Sequence, residues 1–400
     1  MRHYFSAAVI LCLACIPAST ILMVQSEIAP RPGVFGDFSA YWMAVERWQH
    51  GVSIYGNQTY GVTESLGLPH FFPYLYPPAG VLLFYLYQFV GYTIAATLWG
   101  ITTSGVLWLS IVILLEEYIE MTWVRRTLLI PLVFFFQPVW YAFTLGQITP
   151  MLAGFVGFSA VAMERTYDEG KQGLVGVGAT VAAFIKPTAA PAGAVLLPSW
   201  RRVAGAVLTA ASLYIIGIAV FGLNSHVEYF HVLLTAKTEA STSLRPISEY
   251  HSGWFEPFDI LGFWAWVPRI FLLAIVAILS FLRNNSLAGD RAAFAAGAAV
   301  IPLAMPEGYS LSFVFYIPAA IVLSAERHRW APVLGLTLIA SHWHAWTLHE
   351  LSEQGLATEI AVVSQLGLYA GLVILGLAVH ILWKNLRPKE EFTNPAKPSS

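Results

Sequence analysis

Asp37 stands at the start of the run Gly36-Asp37-Phe38-Ser39-Ala40-Tyr41-Trp42-Met43-Ala44-Val45-Glu46-Arg47-Trp48. Two kinds of chemistry suit an acid in that place. As a helix N-cap it accepts hydrogen bonds from free backbone N–H groups and meets the positive end of the helix dipole. As a general base it takes the proton of a substrate hydroxyl, which requires an oxygen lone pair left free. His342, His344 and His349 raise the question of a metal. Helical metal sites favour spacings of three or four with carboxylate partners, whereas His342 and His349 are seven apart and His344 turns away from both. They read as interfacial or core histidines, and no metal is assigned. Cys12 and Cys15 lie in an apolar run with no further ligand nearby and read as small lipid-facing residues. A glycine-rich nucleotide loop followed by Lys is absent from the sequence, so ATP-driven transport finds no support.

The element that must position Asp37 is a short helix. Phe38, Trp42, Val45 and Trp48 recur at three- and four-residue spacing and form one apolar face, with Glu46, Arg47 and His50 off it. Gly51 is its stop. Such a helix is predicted to rest at the membrane surface, its Trp and Tyr at headgroup level. Ser53-Ile54-Tyr55 follows it. Tyr74-Leu75-Tyr76-Pro77-Pro78 then opens a span, since proline is tolerated in a first helical turn.

The surrounding chain is apolar. Of 400 residues 57% are hydrophobic and only 11% are charged, where a soluble domain carries about 25%. That composition predicts an all-α, polytopic membrane protein. Twelve spans are read, at about 4–24, 76–91, 93–115, 127–145, 147–163, 173–198, 203–222, 258–282, 291–305, 309–325, 331–349 and 358–383, with a possible break at Pro187. The first follows Arg2 and reads as an uncleaved signal anchor, because Cys15 to Thr20 offers no clean small-x-small cleavage site. The basic junctions Arg201–Arg202, Arg283 to Arg291, Arg327–Arg329 and Lys384 to Lys389 are placed in the cytoplasm. Two sizeable extracytoplasmic loops, about 25–75 and 223–257, and the short acidic 350–357 are placed outside, which makes both termini cytoplasmic. Loops 116–126 and 164–172 mix charge signs and give no orientation. One membrane domain, 1–387, and a polar, Pro-rich, disordered cytoplasmic tail, 388–400, complete the organisation. A net charge of −2 gives no pull towards nucleic acid.

The order of these motifs resembles glycosyltransferase family 87, polyprenol-phosphate-mannose-dependent α-mannosyltransferases of the multispanning GT-C class. The resemblance rests on an early acid followed by an aromatic-rich helix, a Gly and a Tyr, here Asp37, Tyr41, Trp42, Gly51 and Tyr55. It continues through Tyr76-Pro77-Pro78 opening a span, Trp99 in the next, Gly146-Gln147 near a helix junction, Lys186-Pro187 inside a span, and the basic pair Arg201–Arg202. It covers roughly residues 30 to 205. The family's polar Asn beyond Gly-Gln is replaced by Ile148 and Thr149. Its late Pro-aromatic-His pattern is represented by Met305-Pro306-Glu307-Gly308-Tyr309-Ser310, without the His.

The resemblance implies a GT-C-like fold and a hexosyltransferase using a polyprenyl-phosphate sugar, with mannose as the expected hexose. The expected acceptor is an extracytoplasmic glycan or glycolipid, and the active site opens to the lipid bilayer at its outer interface. Inversion in one displacement needs a single carboxylate base, and Asp37 is assigned that role. The departing phosphate needs a cation. Arg245 is the first candidate, because a guanidinium grips phosphate bidentately. Lys186, His251 and Lys237 are the others. Glu228, Glu239 and Glu249 in the same loop are competing partners for its basic residues. Lys186 is intramembrane, where a charge is costly and pairing within the bundle is the alternative. Tyr41, Tyr76, Gln147, Trp254 and Glu307 are candidates for substrate binding, with headgroup anchoring the alternative for Trp254 and a solvated loop acid that for Glu307. No Asp-x-Asp occurs in the chain, in keeping with a metal-independent reaction and no cofactor. A transporter or flippase of a lipid-linked sugar is the competing class, and paired broken helices would favour it.

Overall fold

The computed structural model describes residues 36–56, 60–61, 74–119, 136–167, 171–243, 266–304, 310–326, 333–338 and 366–386. Span 4–24, both cysteines, Arg245, His251, Trp254, Glu307, the three histidines at 342–349 and the tail lie outside the described residues. Those described are helical, with no strand among them beyond one isolated bridge between Arg283 and Leu386. Tyr92–Tyr118, Trp200–Val232 and Leu287–Ala304 are long and apolar enough to cross a membrane.

The first helix, α1, spans Gly36–Gln49. A short arm follows: a 3-10 turn Pro78–Gly80, α2 at Val81–Tyr85 and a second turn Leu86–Phe89. Then come α3 (Tyr92–Tyr118), α4 (Gln137–Thr144), α5 (Thr149–Arg165) and α6 (Gly173–Ile185). A ten-residue 3-10 segment, Pro187–Leu196, leads to α7 (Trp200–Ser243). The chain continues through α8 (Trp266–Leu282), α9 (Leu287–Ala304), α10 (Tyr316–Glu326) and α11 (Leu366–Lys384).

Two of the twelve segments read as spans from hydropathy are not single continuous helices. The chain does break at Pro187. Its ring and missing N–H end α6, and the residue before a proline is pushed from helical to extended backbone, as Lys186 shows at φ −131°, ψ 101°. The 3-10 segment then runs back alongside α6. Ser199 Oγ donates to Gln172 Oε1 at 3.1 Å, so the two ends of 173–198 meet. Segment 173–198 is therefore a hairpin with Lys186 at its tip. The arm Pro78–Phe89 is about 18 Å long at helical rise, short of the roughly 30 Å hydrocarbon core. It enters beside Tyr41, through Tyr76, and leaves beside Phe38 and Trp42, through Tyr92, so it starts and finishes within one turn of α1.

Strict alternation of twelve spans would put 116–126 and 164–172 on the side of Asp37 and residue 146 opposite it. The contacts reverse this. Asp37 N–H donates to Leu145 O at 3.0 Å. Glu117 pairs with Arg165, and Arg291 reaches Glu164 and Glu326, at the far end. Reading 76–91 and 173–198 as segments that end on the side where they began restores the agreement. Helices α3, α5, α8, α10 and α11 finish at the far end, where α6, α7 and α9 start.

That end holds the basic junctions together. Arg202 and Arg283 both bond Asp290, Arg283 Nη2 at 2.7 Å from Oδ1. Both also donate to Val195 O, at 3.0 and 3.2 Å. The three residues are 2%, 1% and 4% exposed, so one buried carboxylate serves two buried guanidinium groups. The Val195 carbonyl is the foot of the hairpin, so this clamp fixes the arm that carries Lys186.

Helix α1 departs from the surface position its pattern predicts. Every residue from Phe38 to Arg47 is buried, including Glu46 and Arg47. Their burial is compensated: Trp42 Nε1 donates to Glu46 Oε1 at 2.8 Å and Arg47 Nη1 to Ile54 O at 3.4 Å. The helix is a wedge inside the bundle.

Helix α7 bends sharply at Gly222, whose φ of 77° is left-handed and suits glycine. Beyond the bend His226 comes back against Tyr214 and Gly217. Of the 18-residue apolar window within Trp200–Val232 11% is buried, against 61% for that in α3 and 78% for that in α9, so its apolar residues face the surroundings.

Removing one side of a buried ion pair costs about 3–5 kcal/mol, because the remaining charge is stranded. Asp290→Ala strands two. The expected result is a fall in thermal stability of at least that size in detergent-solubilised protein. Arg165→Ala, which breaks the exposed pair with Glu117, changes stability by about 1 kcal/mol or less. Equal effects of the two variants on the melting transition would refute the clamp.

Candidate active site

Helix α4 ends because Gly146 adopts φ 68°, a conformation that a side chain disfavours. Gln147 N–H turns back to Ala142 O at 2.8 Å. This junction presents three polar groups to the start of α1. Leu145 O accepts the Asp37 amide, one of the first-turn donors a helix leaves unsatisfied. Gly146 O accepts Trp99 Nε1 at 2.8 Å, tying the junction to α3. The Gln147 carboxamide donates to the Asp37 carboxyl.

From Gln147 a chain of hydrogen bonds leads to the hairpin tip. Thr149 Oγ1 donates to Gln147 Oε1 at 3.3 Å, and Lys186 Nζ donates to Thr149 Oγ1 at 3.4 Å. Each donor and acceptor role is then consistent from the ammonium to the carboxylate. The amide of Gln147 is oriented by having both ends used.

One turn after Asp37, Tyr41 extends the site. Its hydroxyl accepts the Ile148 N–H and is bonded to the Tyr76 hydroxyl at 3.0 Å. Both phenols lie within electrostatic reach of Asp37. Aromatic rings wall the site. Tyr41 stacks on Phe84 at 4.2 Å between ring centres, and Phe38 on Trp99 at 6.2 Å. Asp37 itself keeps part of its surface open.

Burial among these rings raises the Asp37 carboxyl from 3.8 to about 6, against the opposing pull of the Lys186 ammonium and the Gln147 hydrogen bond. An acid so placed is ionised at neutral pH yet basic enough to accept a proton. N-capping does not describe its role in the fold. It sits inside the first turn of α1 and is engaged by another helix junction.

Five of the sequence candidates thus converge: Asp37, Tyr41, Tyr76, Gln147 and Lys186. Lys237 lies on the second arm of α7, its side chain outside what is described. Arg245, the first choice for the phosphate, is outside as well, with His251, Trp254 and Glu307. Sequence reasoning missed Thr149, which it treated only as a departure from a family Asn. Its position two residues after Gln147 was the available signal.

The fold and site define an all-helical membrane protein with a buried acid and an amine joined across a helix junction. The chain belongs to glycosyltransferase family 87, whose model matches residues 74–306, and it is a membrane glycosyltransferase. The match takes in Tyr76, Gln147, Thr149 and Lys186 and begins after Asp37 and Tyr41. No curated protein and no solved structure matches the chain.

If Asp37 acts ionised, kcat/KM rises with pH, reaches half its plateau near the carboxyl value of about 6, and is lost below it. Gln147 and Lys186 both favour the ionised form. Gln147→Leu and Lys186→Met should therefore each move this acid limb to higher pH. A limb that stays in place in both variants would separate them from Asp37. The same shift acts on folding with the opposite sense. A carboxyl that holds its proton more tightly when folded contributes stability that is full below 3.8 and lost as pH rises through about 6.

Proposed function

We propose that this protein transfers a hexose, mannose in the first instance, from a polyprenyl-phosphate donor to an extracytoplasmic glycan or glycolipid acceptor, with inversion and without metal. The observation that carries this reading is the hydrogen-bonded series from Lys186 through Thr149 and Gln147 to Asp37. It sets a base and a cation side by side. The acceptor oxygen forms a bond to the anomeric carbon and its proton passes to the Asp37 carboxylate. The bond from that carbon to the phosphate oxygen breaks, and the phosphate leaves with the electron pair. Lys186 meets the charge that develops on it. Thr188 Oγ1, two residues along at the hairpin tip, is buried with no protein partner and is a second donor available there.

The topology that goes with this reading has about ten crossings and two re-entrant arms in place of twelve spans. The basic end, with Arg202, Arg283 and Arg291, faces the cytoplasm, and Asp37 and Lys186 face outward. Both termini stay cytoplasmic, because two crossings are removed together. A donor with a polyprenyl tail then reaches the site laterally from the bilayer. The two broken segments, at Pro77–Pro78 and Pro187, are also what a flippase would use. Membership of a transferase family favours bond formation over movement alone.

The test uses vesicles loaded with labelled polyprenyl-phosphate mannose. Asp37→Asn should cut transfer by about 10²- to 10⁴-fold while insertion and folding persist. EDTA should leave the wild-type rate unchanged. Transfer at the wild-type rate by the Asn variant would remove Asp37 from the mechanism. Label that changes leaflet without forming a new glycosidic bond would favour the flippase. Mass spectrometry of envelope glycolipids from a deletion strain, showing loss of one hexose from a defined species, would name the acceptor.

A further inference from the structure

A threonine in a helix commonly spends its hydroxyl on the helix itself. Thr97, Thr102 and Thr103 on α3 and Thr209 on α7 each donate to the backbone carbonyl four residues back. Thr149 departs from this. It is the first residue of α5, and the carbonyl four residues back, Leu145 O, already accepts the Asp37 N–H at 3.0 Å. The Thr149 hydroxyl turns sideways instead. It donates to Gln147 Oε1 at 3.3 Å and accepts from Lys186 Nζ at 3.4 Å, so both bonds go to side chains of the candidate site. The residue is fully buried, at 0% exposure.

The hydroxyl stands between an acceptor, the amide oxygen of Gln147, and a donor, the ammonium of Lys186. It sets two things at once. Its proton selects which end of the Gln147 amide faces away from Asp37, and so leaves the NH2 to face the carboxylate. Its lone pair holds the ammonium one hydroxyl further along than a direct bond to Gln147 would. A threonine that only filled space would do neither, since valine has the same shape.

We infer that Thr149 is a positioning residue, whose hydroxyl orients the Gln147 amide towards Asp37 and fixes how far the Lys186 ammonium stands from that carboxylate. Its effect on turnover rests on Asp37 being the base of the proposed function, while its effect on the carboxyl itself does not. Among the described residues, the other titratable groups within electrostatic reach of Asp37 are the Tyr41 and Tyr76 phenols, which keep their protons across the acid range.

Full-length wild type and Thr149→Val are compared in nanodiscs. With the hydroxyl gone, Gln147 Oε1 becomes the next acceptor along the series for the ammonium, one link closer to Asp37. A closer cation favours the carboxylate. The acid limb of kcat/KM should therefore move to lower pH by roughly half a unit, opposite to the shifts of Gln147→Leu and Lys186→Met. The carboxyl is also followed without turnover, as the infrared band of a protonated acid that Asp37→Asn lacks, titrated against pH. It should move by the same amount. Thr149→Ser restores the hydroxyl and should return band and limb to their wild-type positions. Thr149→Ala should match Val, so the Ser and Ala pair carries the comparison if Val does not fold. A band that stays in place or moves to higher pH in the variants without a hydroxyl would overturn the positioning role, whatever the melting temperature does. So would a Ser variant that behaves as Val does. If the band moves to lower pH and the limb does not, Thr149 still positions the site, and it is Asp37 as the base of the proposed function that fails.

Discussion

Burying one carboxylate inside a helical membrane protein sets the terms for everything around it. An ionised acid withdrawn from water is stable only if hydrogen bonds and an opposite charge replace its hydration. Asp37 receives these from the α4–α5 junction and from Lys186. Neither source is near it in sequence. Residues 145–149 must turn sharply to present a carbonyl and an amide together, which Gly146 permits. Lys186 must arrive at the depth of Asp37 from the far end, which a hairpin achieves by carrying it at the tip while both of its ends stay at the clamp. The fold is the means by which three distant segments meet around one charge.

The amine raises the same problem at its other end. A hairpin of one α-helix and one 3-10 arm has weak internal bonding on the 3-10 side, where the geometry of the hydrogen bonds is poorer. Its foot is held by two guanidinium groups sharing the Val195 carbonyl and the Asp290 carboxylate. Glycines at 176 and 205 let α6 and α7 approach closely beside it, since a Cβ at each would clash with the facing backbone. Lys186, the proposed phosphate cation, is therefore positioned from the far end of the protein by a second, fully buried ionic cluster.

Much of the site was legible in the sequence because chemistry and order survive without geometry. An acid before an aromatic helix, Tyr-Pro-Pro, Gly-Gln and Lys-Pro can be read off a string. The crossings could not be, because hydropathy measures solvent preference and not direction. An apolar stretch with a central proline reads alike whether it continues or returns, and residues 173–198 return. The helix at Asp37 misled for a related reason. Glu46 and Arg47 interrupt its apolar face and suggest water, but both are satisfied internally, by Trp42 and Ile54. Thr149 was hidden because its value lies in a bond to Gln147 and another from Lys186, and no spacing rule announces either.

The order of donors along the series bears on how the site avoids disabling itself. In the proposed mechanism a lysine bound head-on to the base would neutralise it and leave neither group for substrate. Here the Lys186 ammonium donates to the Thr149 hydroxyl, which passes a neutral hydrogen bond to Gln147, and Gln147 donates to the carboxylate. The cation still lowers the Asp37 carboxyl through space, yet burial outweighs it and the value settles at about 6. The acid keeps affinity for a proton. A phosphate arriving at Lys186 would in turn weaken its pull on Asp37. In that mechanism Asp37 would then be at its strongest as a base when donor is bound.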